Sequence, residues 1–167
     1  MLLVAIMNAL KLLTDQHADV DELFATLEKA TTRERKNDLF VELADKLAAH
    51  ATIEEKLFYP AVMARQTEEL LLESVEEHLA IKRVLADLLD LDVEDPSFDA
   101  KLSVMKEEVT HHAHEEEEAE LFPKVRKLLS ADELDGLGGE MLAMFDQLMS
   151  GAPRQEVPAE TSEAAHL

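Results

Sequence analysis

The sequence places polar residues where the predicted helices of this chain should be apolar. His50 and Glu54 are four residues apart, and so are His112 and Glu116. Residues with this spacing lie on the same face of an α-helix. Both pairs continue an apolar stripe, so both should be buried. Because buried carboxylates need partners, and one metal ion serves several at once, the pattern favours a helical fold with a polar centre.

Apolar residues recur at alternating intervals of three and four in four segments, which predicts four long amphipathic helices. We expect the first over residues 3–29 and the second from a capping box at residues 31–34. The third should begin near Thr67 and the fourth at Pro96 or Ser97. Each stripe contains one histidine, and these are His17, His50, His78 and His112.

The two halves of the chain repeat this pattern, and each half ends its second stripe with an aromatic residue followed by Pro60 or Pro123. Two similar helical hairpins predict an all-α, up-down-up-down antiparallel four-helix bundle within residues 1–150. A capping box at residues 130–133 predicts a short fifth helix, interrupted early by glycines at 136–139. Residues 151–167 show no periodicity, and we expect a flexible acidic tail there.

The composition excludes several kinds of site and partner. Without cysteine, the chain has no disulfide and no thiolate metal site, so any metal must bind nitrogen and oxygen ligands. The net charge of −21 argues against nucleic acid and anionic membranes as partners. The apolar residues 1–7 are too short to span a bilayer, and Met7 is an alternative start to Met1. We expect a cytoplasmic protein.

In an up-down bundle the polar residues of the four stripes can meet at one depth. The candidate metal ligands are His17, His50, Glu54, His78, His112 and Glu116. Four imidazoles and two carboxylates suit iron or manganese, and the two glutamates can bridge a pair of irons. A single buried histidine is an ordinary core residue, but four in register leave too many polar groups to satisfy in a plain core.

The register of the second pair has alternatives. His50 precedes Pro60 by ten positions, whereas His112 precedes Pro123 by eleven, so the two halves are out of step. The heptad stripe favours His112 with Glu116. The competing choices are His111 with Glu115, His114 with Glu118, and Glu117 in place of Glu116 if the helix bulges.

Several motifs together resemble a known family. They are the segment from Met7 to His17 and Phe24, His50-x-x-x-Glu54-Glu55 running to Tyr59-Pro60, Glu77-His78, and His111-His112 followed by a glutamate-rich run and Leu121-Phe122-Pro123-Lys124. Over about residues 7–150 the chain resembles hemerythrin-like proteins with the HHE cation-binding domain. The resemblance implies two non-haem Fe ions with carboxylate and oxo bridges, held by the six candidate ligands.

The same resemblance bears on function. Oxygen-carrying hemerythrins have a further histidine one turn along the third ligand helix, but Ser74 and Lys82 stand at those positions here. This disfavours reversible oxygen carriage. We therefore expect a di-iron protein that binds or reacts with a small diatomic ligand or a peroxide, in a pocket lined by residues such as Leu13, Leu47, Ile81 and Val109. The alternatives are an iron-binding or iron-sensing module without turnover, and an interaction bundle with structural histidines.

Overall fold

The computed structural model describes residues 7–167, and every regular element in that range is helical. The elements are α1 (Ala9–Lys29), α2 (Arg33–Ile53), the π-helix π1 (Glu54–Phe58), α3 (Tyr59–Val62), α4 (Glu68–Leu89), α5 (Phe98–Thr110), the π-helix π2 (His111–Leu121), α6 (Phe122–Leu128), α7 (Ala131–Met149) and a 3₁₀ helix (Pro153–Glu160). Two runs are unbroken, α2–π1–α3 and α5–π2–α6. With α1 and α4 they form the predicted bundle.

The starts of α1, α2 and α7 follow local capping signals. The Asn8 side chain accepts hydrogen bonds from the backbone of Leu10 and Lys11, which begins α1 at Ala9. The predicted stripe positions 3 and 6 lie outside the described residues. Thr32 caps α2, and Ser130 and Glu133 form the predicted reciprocal capping box of α7.

Two apolar clusters fill the bundle, and the four stripe histidines lie between them along each helix. In α1, Leu13 comes before His17 and belongs to the first cluster, whereas Val20 comes after His17 and belongs to the second. Along α2 the order is reversed, since Leu47 belongs to the second cluster and Ile53 to the first. The order reverses again in α4 and once more in α5. Antiparallel neighbours therefore bring the four histidines to one level.

The fifth helix is continuous, contrary to the predicted interruption at the glycines. Residues Ala131–Met149 form one helix that packs on α1 and α2. Gly138 is required there by close approach, because a Cβ at this residue would lie 1.9 Å from the Met7 carbonyl oxygen and 2.6 Å from the Ala9 nitrogen. Gly136 has open space around it. Gly138 thus allows α7 to pack closely against the start of α1.

The segment after α7 differs from the predicted flexible tail. Its 3₁₀ helix packs against α2 and α4, and Pro153 and Val157 are buried. Arg154 Nη1 pairs with Asp45 Oδ2 at 2.7 Å. Periodicity could not reveal this element, because its few apolar residues bury themselves in a groove made by distant helices. None of the helices within residues 7–167 is long and apolar enough to cross a membrane.

Candidate metal centre

Each of the two π-helices ends two residues before a proline. Pro60 and Pro123 have no N–H, and a proline ring clashes with the carbonyl four residues earlier in an α-helix. The wider π turn, with bonds from residue i to i+5, relieves that clash. Tyr59 N bonds the Glu54 carbonyl, and Phe122 N bonds the Glu117 carbonyl. The prolines therefore widen the helix upstream instead of ending it at once.

The π turn decides which glutamate of the fourth bundle helix faces the interior. In π2, residues five apart share a face, so Glu117 follows His112 inward and is fully buried. Glu117 Oε1 lies 3.4 Å from His112 Nε2. Glu116 instead turns to the outer side, where its Oε1 lies 3.0 Å from His111 Nε2. The structure thus brings Glu117 to the position that the sequence predicted for Glu116.

The other five predicted residues lie close together at one level of the bundle, as the sequence predicts. His50 and Glu54 keep the α-helical spacing, because π1 begins only at Glu54, and His50 Nε2 lies 3.0 Å from Glu54 Oε1. His17, His78 and His112 reach the same level from three other elements, and all are buried. The competing histidines lie outside this group: His111 is largely exposed, and His114 pairs with Asp21 and Glu118.

Each of the four imidazoles points Nε2 to the centre and has an oxygen partner for Nδ1. The Nδ1 partners are Glu118 Oε2 for His17 at 2.9 Å, Gln16 Oε1 for His50 at 2.6 Å, Glu55 Oε1 for His78 at 2.9 Å and Glu77 Oε2 for His112 at 3.2 Å. An acceptor on Nδ1 fixes the proton there and leaves the Nε2 lone pair free. Histidines that bind metal ions are held in this way.

The two buried carboxylates connect these imidazoles in pairs. Glu54 Oε1 lies 3.0 Å from His50 Nε2 and 3.4 Å from His78 Nε2. Glu117 Oε1 lies 3.2 Å from His17 Nε2 and 3.4 Å from His112 Nε2. Among the described residues, both Glu54 oxygens, Glu117 Oε1 and His17 Nε2 are buried without a hydrogen-bond partner. Such atoms are costly in a core unless something binds them.

The donor atoms fall into two groups that fit metal ions. His17, His50, Glu54 and Glu117 form one group, and Glu54, His78 and His112 form the other, with donor atoms within 4.8 Å of one another in each. Glu54 belongs to both. Neutral imidazole and carboxylate donors of this kind suit iron, manganese or zinc. The clusters are therefore compatible with metal binding.

The chain is also similar to a known protein family. Residues 8–125 match the Hemerythrin HHE cation binding domain. The chain belongs to the hemerythrin HHE family.

Relatives of known sequence or structure support that assignment. Uncharacterized protein Rv2633c of Mycobacterium tuberculosis is 30% identical over 149 residues, covering 88% of this chain and 90% of that one. The crystal structure of a hemerythrin HHE domain-containing homologue of Rv2633c from Mycobacterium kansasii superimposes with a TM-score of 0.76 at 26% identity, covering 92% and 94% of the two chains. A DNA nickase of Nostoc sp. is 26% identical over 82% of this chain, which spans only 39% of that protein.

Tyr59 also lies among these side chains, although the sequence analysis names it only within the Tyr59-Pro60 motif and not as a site residue. It is the only tyrosine in the chain and is fully buried. Its Oη donates to Glu117 Oε2 at 3.2 Å and lies 3.2 Å from His78 Nε2 and 3.3 Å from His112 Nε2. Burial, and then the charges of Glu117 and Glu54, raise the pKa of Tyr59 well above its usual value. The phenol therefore remains protonated.

The four buried histidines differ in their protonation when no metal is bound. Burial opposes charge on His17, but Glu117 and Glu54 outweigh it and raise the pKa of His17 to about 9. Burial is likewise outweighed at His78, where Glu54 and Glu55 raise the pKa to about 10. Burial lowers the pKa of His50, and it lowers that of His112 to about 4. Each donor group thus contains one protonated and one neutral imidazole near neutral pH.

The carboxylates of the HHE site differ in the same way. Burial opposes ionisation of Glu54, but its contacts with His50 hold the pKa of Glu54 well below its usual range. Burial and the adjacent charge of Glu54 raise the pKa of Glu117 to about 7. One permanent anion and one readily protonated carboxyl therefore share the centre.

A signal for Glu117 was present in the sequence. Both buried glutamates stand six positions before a proline, Glu54 before Pro60 and Glu117 before Pro123. The proline spacing therefore aligns the carboxylates, whereas the heptad stripe aligned the histidines. The oxygen partners of Nδ1 had no such signal, because they depend on how neighbouring helices meet.

Proposed function

We propose that this protein binds two iron ions through His17, His50, Glu54, His78, His112 and Glu117, and that the loaded centre binds or reacts with oxygen or a related small oxidant, such as a peroxide or nitric oxide. The observation that carries the proposal is the convergence of four Nε2 atoms on two buried carboxylates, three of whose four oxygens lack hydrogen-bond partners within residues 7–167.

Two ions suit the donor set better than one. Glu54 and Glu117 each approach one imidazole from either donor group, as carboxylates that bridge two ions do. The two groups share Glu54, so a metal ion bound in one group places its positive charge beside the other group. A single ion would leave either His17 and His50 or His78 and His112 without a metal partner.

Iron would supply the redox chemistry when bound, and the chain would orient and shield it. The Nδ1 partners hold the imidazole planes and fix their tautomers. The Tyr59 hydroxyl keeps a proton directed at Glu117.

An apolar cavity of about 40 Å³ adjoins the histidines, lined by residues that include Leu47, Ile81 and Val109. The predicted lining residue Leu13 packs in the opposite cluster instead. A small apolar cavity favours a small neutral ligand over bulk water.

The alternative is an iron-binding or iron-sensing module without turnover. Both proposals share the metal site, so reactivity separates them. The nickase activity named for the Nostoc relative is not carried over, because this chain spans 39% of that protein and its net charge of −21 opposes binding of a polyanion.

The test is iron analysis of protein purified from iron-supplemented cells, followed by anaerobic reduction and exposure to oxygen, hydrogen peroxide or nitric oxide. We expect about two irons per chain and an absorption change with at least one oxidant. One ion or none after reconstitution would contradict the dinuclear site. Two irons without reactivity toward any of the three would favour the sensing module. Full recovery of the ferrous state over repeated deoxygenation would instead indicate reversible oxygen carriage.

A further inference from the structure

The cavity beside the histidines has one wall that does not come from the bundle. Val20, Leu47, Ile81 and Val109 line it from α1, α2, α4 and α5. Val157, from the 3₁₀ helix after α7, completes it and is 2% exposed. Residue 157 lies beyond the segment that matches the family, residues 8–125. This wall therefore lies outside the segment that matches the family model.

Residues 153–162, here called the C-terminal strap, are fixed to the bundle at both ends. At one end Asp45 accepts from the Arg154 backbone N–H at 3.1 Å and pairs with its guanidinium at 2.7 Å. At the other end Arg83 donates to the carbonyl oxygens of Thr161 at 2.9 Å and Ser162 at 3.3 Å. Val157 lies between these two anchors, so its position over the cavity is defined.

A third anchor connects the strap to the metal centre itself. Lys82 Nζ lies 2.9 Å from Glu160 Oε2 of the strap and 3.0 Å from Glu55 Oε1. Glu55 Oε1 also accepts from His78 Nδ1. The position one turn after His78 therefore holds a lysine that ties the strap to the carboxylate orienting this histidine.

We propose that the C-terminal strap selects the oxidants that reach the metal centre by size, with Val157 as the size-determining residue; this rests on the proposed function. A cavity needs about 10–15 Å³ to hold one water molecule. The observed cavity of about 40 Å³ accommodates oxygen, nitric oxide or hydrogen peroxide, but not a branched alkyl peroxide. Truncation of Val157 enlarges the space on the strap side, and a larger side chain at this position reduces it.

The experiment compares two peroxides on the iron-loaded, reduced full-length protein by stopped-flow absorption. Hydrogen peroxide or tert-butyl hydroperoxide takes one electron from each of two ferrous ions and two protons. Its O–O bond breaks, giving water in the first case and water with tert-butanol in the second. The variants are Val157→Ala and Val157→Phe. The control is Val93→Ala, because Val93 is buried in the same apolar cluster but does not line the cavity.

We expect Val157→Ala to raise the rate with tert-butyl hydroperoxide about tenfold or more while the rate with hydrogen peroxide stays nearly constant. Val157→Phe should slow hydrogen peroxide. Val93→Ala should leave the ratio of the rates with the two peroxides unchanged. Equal rate ratios in the wild type and Val157→Ala, or the same change in Val93→Ala, would overturn the proposal.

A second measurement needs no iron chemistry. Xenon enters small apolar cavities, so Val157→Ala should bind xenon more tightly and Val157→Phe more weakly than the wild type in a titration followed by ¹²⁹Xe NMR. Unchanged xenon binding in both variants would show that Val157 does not bound the cavity. A wild type that reacts with oxygen or nitric oxide but with neither peroxide would leave the proposed function intact and overturn selection between the peroxides. A wild type that reacts with none of these oxidants would contradict the proposed function, and xenon binding would still test whether Val157 bounds the cavity.

Discussion

The two runs that carry the buried carboxylates, α2–π1–α3 and α5–π2–α6, reach the same result through different local geometry. In the first run the π turn begins at Glu54, after the His50–Glu54 pair, so the pair keeps α-helical spacing. In the second the π turn begins at His111 and includes the pair, so His112 is matched with Glu117. Proline position, rather than the interval between histidine and glutamate, sets the register of both carboxylates.

The residue before each proline also differs between the two runs, and this makes the two donor groups different. Tyr59 places its hydroxyl 3.2 Å from His78 Nε2, whereas Phe122 presents only a ring, stacked on His17 at 6.3 Å between centroids. The His78 and His112 side of the centre therefore has a phenol that the His17 and His50 side lacks. Two runs with one pattern thus produce chemically unequal donor groups.

The largest effect should come from removing either buried carboxylate. Glu54→Ala and Glu117→Ala should each abolish most iron binding, since each carboxylate approaches an imidazole of both donor groups. Iron per chain after reconstitution measures this. Glu116→Ala is the matched control and should retain its iron. If Glu116→Ala loses iron and Glu117→Ala does not, the second run uses the α-helical register and Glu117 is not a ligand.

Protons should be released when metal binds near neutral pH. His17, with a pKa of about 9, and His78, with a pKa of about 10, are protonated in the metal-free protein at pH 7. Ligating histidines must be neutral and ligating carboxylates ionised, so loading should release two protons from these histidines and about half a proton more from Glu117, whose pKa is about 7. Calorimetry in buffers of different ionisation enthalpy measures the number. Acidification should reverse loading, and full iron occupancy at about pH 4 would contradict a histidine-rich site.

The same pKa values predict opposite pH limits for the two kinds of histidine in the metal-free protein. The folded pKa values of His17 and His78 exceed the unfolded value of 6.5. Their stabilising contribution is therefore complete below pH 6.5 and is lost as the pH rises through about 9 to 10. The pKa of His112 is lowered to about 4, so stability is lost as the pH falls from 6.5 towards 4. Urea midpoints at pH 4.5, 7 and 10 should show a maximum at pH 7.

A smaller effect is expected from Tyr59→Phe. The Tyr59 hydroxyl occupies space within 3.3 Å of two Nε2 atoms, so its removal should leave iron content unchanged but raise azide affinity of the ferric protein about tenfold. Titration followed by absorption measures this. Phe122→Leu, on the other side, is the control and should change azide affinity little. Weaker azide binding in Tyr59→Phe would mean that the hydroxyl donates to the bound anion.

The smallest effect should distinguish the two prolines. Pro123→Ala removes the ring clash that favours π2, which contains the His112–Glu117 pair, so iron affinity should fall severalfold. Pro60→Ala relaxes π1, which begins after His50, and should alter iron affinity less. Competition with a colorimetric chelator measures both. Unchanged iron affinity in Pro123→Ala would show that proline position does not set the register of Glu117.

The sequence alone predicted the bundle and the burial of four histidines and Glu54 within it. These depend on repeats of about 3.6 residues and on short-range capping, which any stretch of chain carries within itself. It also determined the start of α7 through the capping box at Ser130.

Only the tertiary structure decided Glu117, Tyr59, the oxygen partners of Nδ1 and the position of the C-terminal strap. A π turn changes the residue that faces inward by one position, and a periodic pattern read at the α-helical interval cannot show it. The strap and the Nδ1 partners join residues far apart in the chain, such as Arg154 with Asp45 and Glu118 with His17. Their energy comes from burial and pairing between elements, which exist only after the helices have packed.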